Sequence, residues 1–288
     1  MFKKYLPELC VLTAATSWGF MGLFTKFLLG AGAAPIDIVA IRNSGGLLLM
    51  AIFFAVTDRT VFHVKLRDLP IFFATGIVSV LFFTLCYFSC QQYCSIAVSA
   101  ILLYTAPAMV VVMSALVFRE AITKRKILAL VLALLGCSFV TGIWSGGFSA
   151  EPIGIALGLG SAFFYALYTI FARFALKKYA PFAVVLWTFV FAGSGALALA
   201  DRGAIVELFR TRPEMFLVGF ALALVATALP YLFYTRGLAM MDGGKASILA
   251  SWEPVVAAFS GILFYGEPVS LAVFAGLACI LGCVYILR

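Results

Sequence analysis

The chain has 288 residues, of which 65% are hydrophobic and 11% charged, and its mean hydropathy is +1.14. Soluble domains run near about 45–50% apolar and about 25% charged, so an ordinary soluble fold is excluded. The net charge of +8 raises the question of a nucleic-acid partner, but the basic residues sit in short clusters between apolar runs rather than on one face, and such charge reports membrane topology.

A helix needs about 20 mostly apolar residues to cross a bilayer. Runs of that kind, bounded by charge, Gly or Pro, predict ten spans at 6–29, 36–56, 70–91, 95–118, 126–143, 153–176, 182–200, 214–239, 245–265 and 270–287. The expected fold class is an all-α polytopic membrane protein. The first span follows Lys3 and Lys4 and ends in small residues, as a secretory leader does. It is too long for a leader's apolar region and carries Trp18 and Lys26, so it is read as a retained helix. It carries Ser17 and Trp18 at mid-depth, and the second span carries Arg42 about two turns from its start, a candidate to meet a carboxylate or a bound anion. The third span adds Ser79 and Tyr87, the fourth Tyr104 and Pro107, the sixth Tyr165 and Tyr168, the eighth Tyr231 and Tyr234, and the ninth Trp252, Glu253 and Pro254.

Internal repetition organises these spans. A shift of 147 residues lays SAILLYTAPAMVVVMSALVFRE (99–120) over ASILASWEPVVAAFSGILFYGE (246–267), pairing Pro107 with Pro254 and Glu120 with Glu267. The same shift pairs Trp18 with Tyr165, Lys26 with Arg173 and Tyr87 with Tyr234. Two five-helix units are expected, over 1–147 and 148–288, and because five is odd the second enters the membrane from the opposite side. The cations agree: with both termini cytoplasmic, Lys3, Lys4, Arg59, Lys65, Arg67, Arg119, Lys124, Arg125, Lys126, Arg173, Lys177, Lys178, Arg236, Lys245 and Arg288 fall on the inner side, fifteen of the 20 Lys and Arg. Inverted repeats around a midplane cavity are a transporter architecture.

Glu253 lies near the middle of the ninth span, where a charge costs about 2.5–3.5 kcal/mol on insertion scales. Ala246, Ala250, Ala257 and Ser260 share its helix face, which suits close packing or a water-filled space. Two readings stay open: a protonatable or cation-pairing group in a substrate cavity, or a lock between helices through Arg42, Lys26 or a tyrosine hydroxyl. Its repeat counterpart is Ala106. Pro107 and Pro254 are expected to kink their helices at matched depth and to serve a conformational role. Trp18, Ser79, Tyr87, Tyr104, Tyr165, Tyr168, Tyr231, Tyr234, Trp252 and Glu253 are the candidate substrate-binding set, suited to a small amphipathic or aromatic solute. Lys26 and Arg173, toward span ends, are expected to reach the membrane interface.

Catalysis and metal binding find no support. The seven cysteines form no CxxC pair, and Cys86, Cys90 and Cys94 share a helix face without a histidine or acid nearby in sequence; they read as packing residues. The single His63 lies in a polar loop and no Walker, GxSxG or HExxH motif occurs. No enzyme activity, cofactor or nucleic-acid partner is expected. The expected partners are a small-molecule substrate, the lipid bilayer and a coupling proton.

The two proline-containing segments, together with SWGFMGLFTK (17–26), resemble the EamA-type ten-helix branch of the drug/metabolite transporter superfamily over essentially the whole chain. Gly266-Glu267 keeps that branch's Gly-Glu turn, whereas Arg119-Glu120 departs from it. The resemblance implies a basket of inverted repeats with a cavity lined by spans 1, 3, 4, 6, 8 and 9, in a cell or bacterial inner membrane. Its SWEP segment (251–254) is most similar to bacterial amino-acid and metabolite exporters. The expected function is therefore secondary active export of amino acids or similar small amphipathic metabolites by alternating access. The rivals are an exporter of organic cations or drugs with Glu253 as counter-charge, and a membrane receptor or scaffold without flux.

Overall fold

The computed structural model describes residues 2–94, 96–143, 151–266 and 270–287, and among them there is no β-strand. Twelve helices carry the fold in chain order. They are α1 Phe2–Gly19, α2 Met21–Gly30, α3 Pro35–Thr57, α4 Leu66–Cys90, α5 Val98–Phe118, α6 Lys124–Val140, α7 Pro152–Leu176, α8 Pro181–Leu199, α9 Arg202–Thr211, α10 Glu214–Leu238, α11 Gly243–Tyr265 and α12 Leu271–Leu287. Seven of these, α3, α4, α5, α7, α8, α10 and α11, are long and apolar enough to cross a membrane. The first expected span is divided at Phe20 into α1 and α2, while α6 and α12 are apolar helices of 17 residues each. The amphipathic α9 falls between the expected spans 182–200 and 214–239, because its Arg and Glu residues hide a single apolar stripe ending at Leu208.

The outer surface displays large apolar side chains, among them Leu48, Ile52, Val56, Leu116, Leu217, Leu263 and Leu271. A contiguous apolar exterior of this extent belongs against lipid rather than water. The chain is a multi-pass membrane protein. Salt bridges gather instead at helix ends, as in Lys178–Asp68 at 2.6 Å and Lys245–Glu8 at 2.7 Å.

Helices from the two halves of the chain pack on one another. α1 runs against the end of α10 and against α11, α3 against α8, α4 against α7, and α6 against α12. Small residues permit the closest crossings. A Cβ on Gly136 of α6 would lie 3.0 Å from the carbonyl oxygen of Gly276 on α12, and one on Gly19 would lie 2.5 Å from Val256 Cβ and 3.0 Å from the Glu253 carbonyl.

Four helices are interrupted along their length. α5 is broken at Tyr104–Thr105 and α11 at Ser251–Trp252, each just before a proline that then opens the following helical segment. Proline removes one N–H and its ring crowds the preceding turn, so the break falls on the N-terminal side. α4 and α10 are widened into π-helical turns at Ala74–Leu81 and Leu224–Ala228. In each, a hydroxyl donates to the carbonyl five residues back: Ser79 to Ala74 at 3.1 Å and Thr227 to Leu222 at 3.1 Å. Such turns occur mostly at functional positions.

Candidate functional site

The aromatic centre of the bundle is built by α1, α7, α8 and α10. Trp18 meets the Tyr231 ring edge-on at 5.3 Å and Tyr234 at 5.4 Å; Tyr231 also meets Tyr168 at 5.2 Å and Phe189 at 4.8 Å, both near perpendicular. Edge-to-face pairs of this kind contribute about 0.5–1.5 kcal/mol each beyond their buried area. The hydroxyls are satisfied across the same helices, Tyr168 with Thr235 at 2.7 Å and Tyr234 with Thr169 at 2.8 Å. Trp18, Ser79, Val80, Phe83, Tyr165, Tyr168, Thr169, Tyr231 and Tyr234 enclose a cavity of about 10 Å³, room for about one water. Six of the ten sequence-predicted binding residues therefore line one small cavity, which is closed in this conformation.

The other four, Tyr87, Tyr104, Trp252 and Glu253, lie to one side. Tyr104 and Trp252 pack with Cys137, Val255 and Ile280, and Trp252 Nε1 donates to Thr16 Oγ1 at 3.1 Å. Glu253 is the first residue of the helical segment after the α11 break. It is half-buried, as are Tyr87, Tyr104 and Tyr165, although all four lie well inside their helices. Among the described residues the Glu253 carboxylate has no hydrogen bond or ion pair. Its field reaches Tyr87, Tyr104, Tyr165 and Tyr231, and Arg42 is the charged group that acts on it. Tyr165 belongs to both places and joins the acid to the aromatic cavity.

Sequence reasoning missed a polar cluster at one end of the bundle. Glu120, only 8% exposed in its side chain, accepts a hydrogen bond from Arg173 Nη1. It also accepts from the backbone N–H groups of Gly243 at 3.1 Å and Gly244 at 3.4 Å, and lies 3.5 Å from Lys126 Nζ. Lys126 in turn donates to Asp242 at 3.1 Å. The carboxylate thus caps the start of α11, where free N–H groups and the helix dipole favour an anion. Arg173, toward the end of α7, lies 4.2 Å over the Phe118 ring. At the far end of α11, Lys26 lies 3.6 Å over the Tyr265 ring. These partners stand 147 residues from Arg173 and Phe118. The repeat relation was visible in the sequence, but the contact was not, because nothing local ties 118 to 173 or 26 to 265. Glu267, the repeat counterpart of Glu120, lies outside the described residues.

The EamA-like transporter family matches this chain twice, over residues 6–142 and 152–288. The chain belongs to the EamA-like transporter family. Members of that family and the relatives below are transporters, not enzymes. A transporter of unassigned substrate from Archaeoglobus fulgidus is 30% identical, covering 98% of this chain and 96% of its own. The threonine/homoserine exporter RhtA of Salmonella typhimurium is 28% identical over 99% of this chain and 93% of its own. The inner membrane transporter YicL of Salmonella typhimurium is 26% identical over 96% and 93%. A crystal structure with a TM-score of 0.79 covers 97% of this chain and 95% of that one at 17% identity, a likeness of fold alone. For this EamA family member, a small-molecule substrate and a lipid bilayer are the partners that the family implies.

Proposed function

We propose that this protein is a secondary active exporter of amino acids or similar small amphipathic metabolites, built from ten spans in two inverted five-helix repeats over 1–147 and 148–288, with both termini cytoplasmic. The observation that carries the reading is Glu253: a half-buried carboxylate inside an apolar bundle, without a partner among the described residues and with a tyrosine-lined cavity one side chain away. An acid placed so is expensive to keep and marks a pathway by default. Support for two exchanging halves comes from the double family match and from breaks and π-helical turns that recur at matching places in the chain. Amino acids are favoured because an exporter of threonine and homoserine is among the full-length relatives. Trp18, Ser79, Tyr87, Tyr104, Tyr165, Tyr168, Tyr231, Tyr234, Trp252 and Glu253 form the binding wall, and Pro107 and Pro254 the bending points.

In this reading the closed cavity of about 10 Å³ is an occluded resting form, and solute enters when the halves separate at one membrane face. Reconstituted protein is expected to exchange preloaded amino acids for external ones faster than empty liposomes do. A broad metabolite panel with no solute moved above that background would end the transport reading. Glu253 is also the proposed carrier of a coupling proton, and a pH dependence unchanged in Glu253→Gln would exclude it from that role.

The second reading, an exporter of organic cations, rests on the same unpartnered carboxylate beside tyrosine faces, which attract cations. In that case Glu253→Gln abolishes exchange of cations and spares zwitterions.

A further inference from the structure

Arg42 and Glu253 present the same anomaly from opposite sides. Arg42 is only 5% exposed, its Nε has no partner, and its Nη1 donates at 3.2 Å to the sulfur of Met21, a weak acceptor. A guanidinium buried with so little is unfavourable by several kcal/mol unless something else satisfies it. Glu253 is the carboxylate whose field reaches it, yet among the described residues no hydrogen bond or ion pair joins them. Gly19, on one side of the α1–α2 break at Phe20, packs on the Glu253 carbonyl, and Met21, on the other side, accepts from Arg42, so the break adjoins both residues.

We infer that Arg42 and Glu253 are the two poles of a site for a small zwitterion at the α1–α2 break, the carboxylate of the solute going to Arg42 and its ammonium to Glu253. The inference rests on the transport reading and sharpens its substrate class. A solute carrying both charges on one carbon satisfies both side chains at once. A simple cation leaves Arg42 unpaired and is repelled by it, a simple anion does the same at Glu253, and a neutral solute leaves both poles unmatched. Charge-assisted hydrogen bonds of this kind are about twice as strong as neutral ones, so charge match decides among solutes of equal size. The tyrosines around Glu253 receive the side chain and set its size.

The test uses purified full-length protein in proteoliposomes and counterflow of matched triads: leucine with 3-methylbutylamine and 4-methylpentanoate, and phenylalanine with phenethylamine and 3-phenylpropionate. Wild type is expected to exchange the amino acid of each triad and to move its amine and its acid at least about tenfold more slowly, a difference of ~1.4 kcal/mol. Arg42→Gln is expected to lose amino-acid exchange and shift preference toward the amine; Glu253→Gln is expected to shift it toward the acid. Arg42→Lys and Glu253→Asp keep the charges and are expected to keep the preference for the amino acid over its amine and its acid; loss of that preference in both would count against charge match. Equal loss of all three members in both glutamine variants, or a wild type that prefers amine or acid over amino acid, would overturn the two-pole site while leaving transport standing. No flux of any solute through wild type would remove the transport reading, and the site with it.

Discussion

Arg119 adopts φ +58°, the one non-glycine residue among those described with a left-handed backbone, and it closes α5 as Gly266 at φ +64° closes α11. An L-residue there costs roughly 1–2 kcal/mol, which glycine avoids. Arg119→Gly is therefore expected to raise stability by about 0.5–1 kcal/mol, or roughly 2–4 °C per kcal/mol in a chain of this size. Thermal unfolding in detergent measures it, and a midpoint equal to or below wild type would mean that the arginine side chain compensates. The departure from Gly-Glu was legible in the sequence, but its conformational meaning was not, since only the backbone shows that both turns use the same angle. Glu253 stood out at once, because one charge interrupts an apolar run. Glu120 did not, because it adjoins the basic run 124–126 and resembles an ordinary loop acid; its partners Arg173, Gly243 and Gly244 are distant in sequence.

Among elements, legibility follows covalent chemistry. The breaks in α5 and α11 were expected from Pro107 and Pro254, because a missing N–H disrupts any helix that holds it. The break at Phe20 and the π-helical turn of α4 have no such marker, whereas the π-helical turn of α10 ends two residues before Pro230. Close crossings are a middle case: small residues were visible, but the partner was not. Gly136 and Gly160 separate the two roles of helical glycine. A Cβ at Gly136 meets Ile280 Cγ1 at 2.5 Å and the Gly276 carbonyl at 3.0 Å, whereas at Gly160 the nearest atom is Cys86 Sγ at 3.8 Å, an ordinary contact. Gly136→Leu is expected to destabilise the α6–α12 pair by about 1–3 kcal/mol or more, while Gly160→Ala gains up to about 1 kcal/mol from helix propensity. If both variants shift the unfolding midpoint in the same direction, the crossing at Gly136 is not a tight one.

For the whole molecule, α11 is the element that ties the two ends of the bundle together. Its first residues, Gly243 and Gly244, cap on Glu120, and its last, Tyr265, lies under Lys26, roughly 33 Å further along at 1.5 Å per residue. In the proposed alternating-access cycle these clusters are end latches that open in turn, with the breaks at Phe20, Tyr104–Thr105 and Ser251–Trp252 as the bending points between them. The Glu120 latch is shut here. It joins α5, α6, α7 and α11, so the end it closes cannot widen without breaking it. Glu120→Gln keeps the size and one acceptor but removes the charge, and hydrogen bonds to charged groups contribute about 1.5–3 kcal/mol, enough to shift a two-state population by about tenfold or more. Hydrogen–deuterium exchange of Glu120→Gln in nanodiscs is therefore expected to quicken by about that factor over Gly243–Ala250 and the last turns of α5 and α7. Exchange over α2 and the end of α11 should stay as in wild type, because the opposite latch is already shut in this form. Faster exchange at both ends would mean general loosening, and no change at either would mean that Glu120 anchors helices without governing access; either result removes the latch from the cycle.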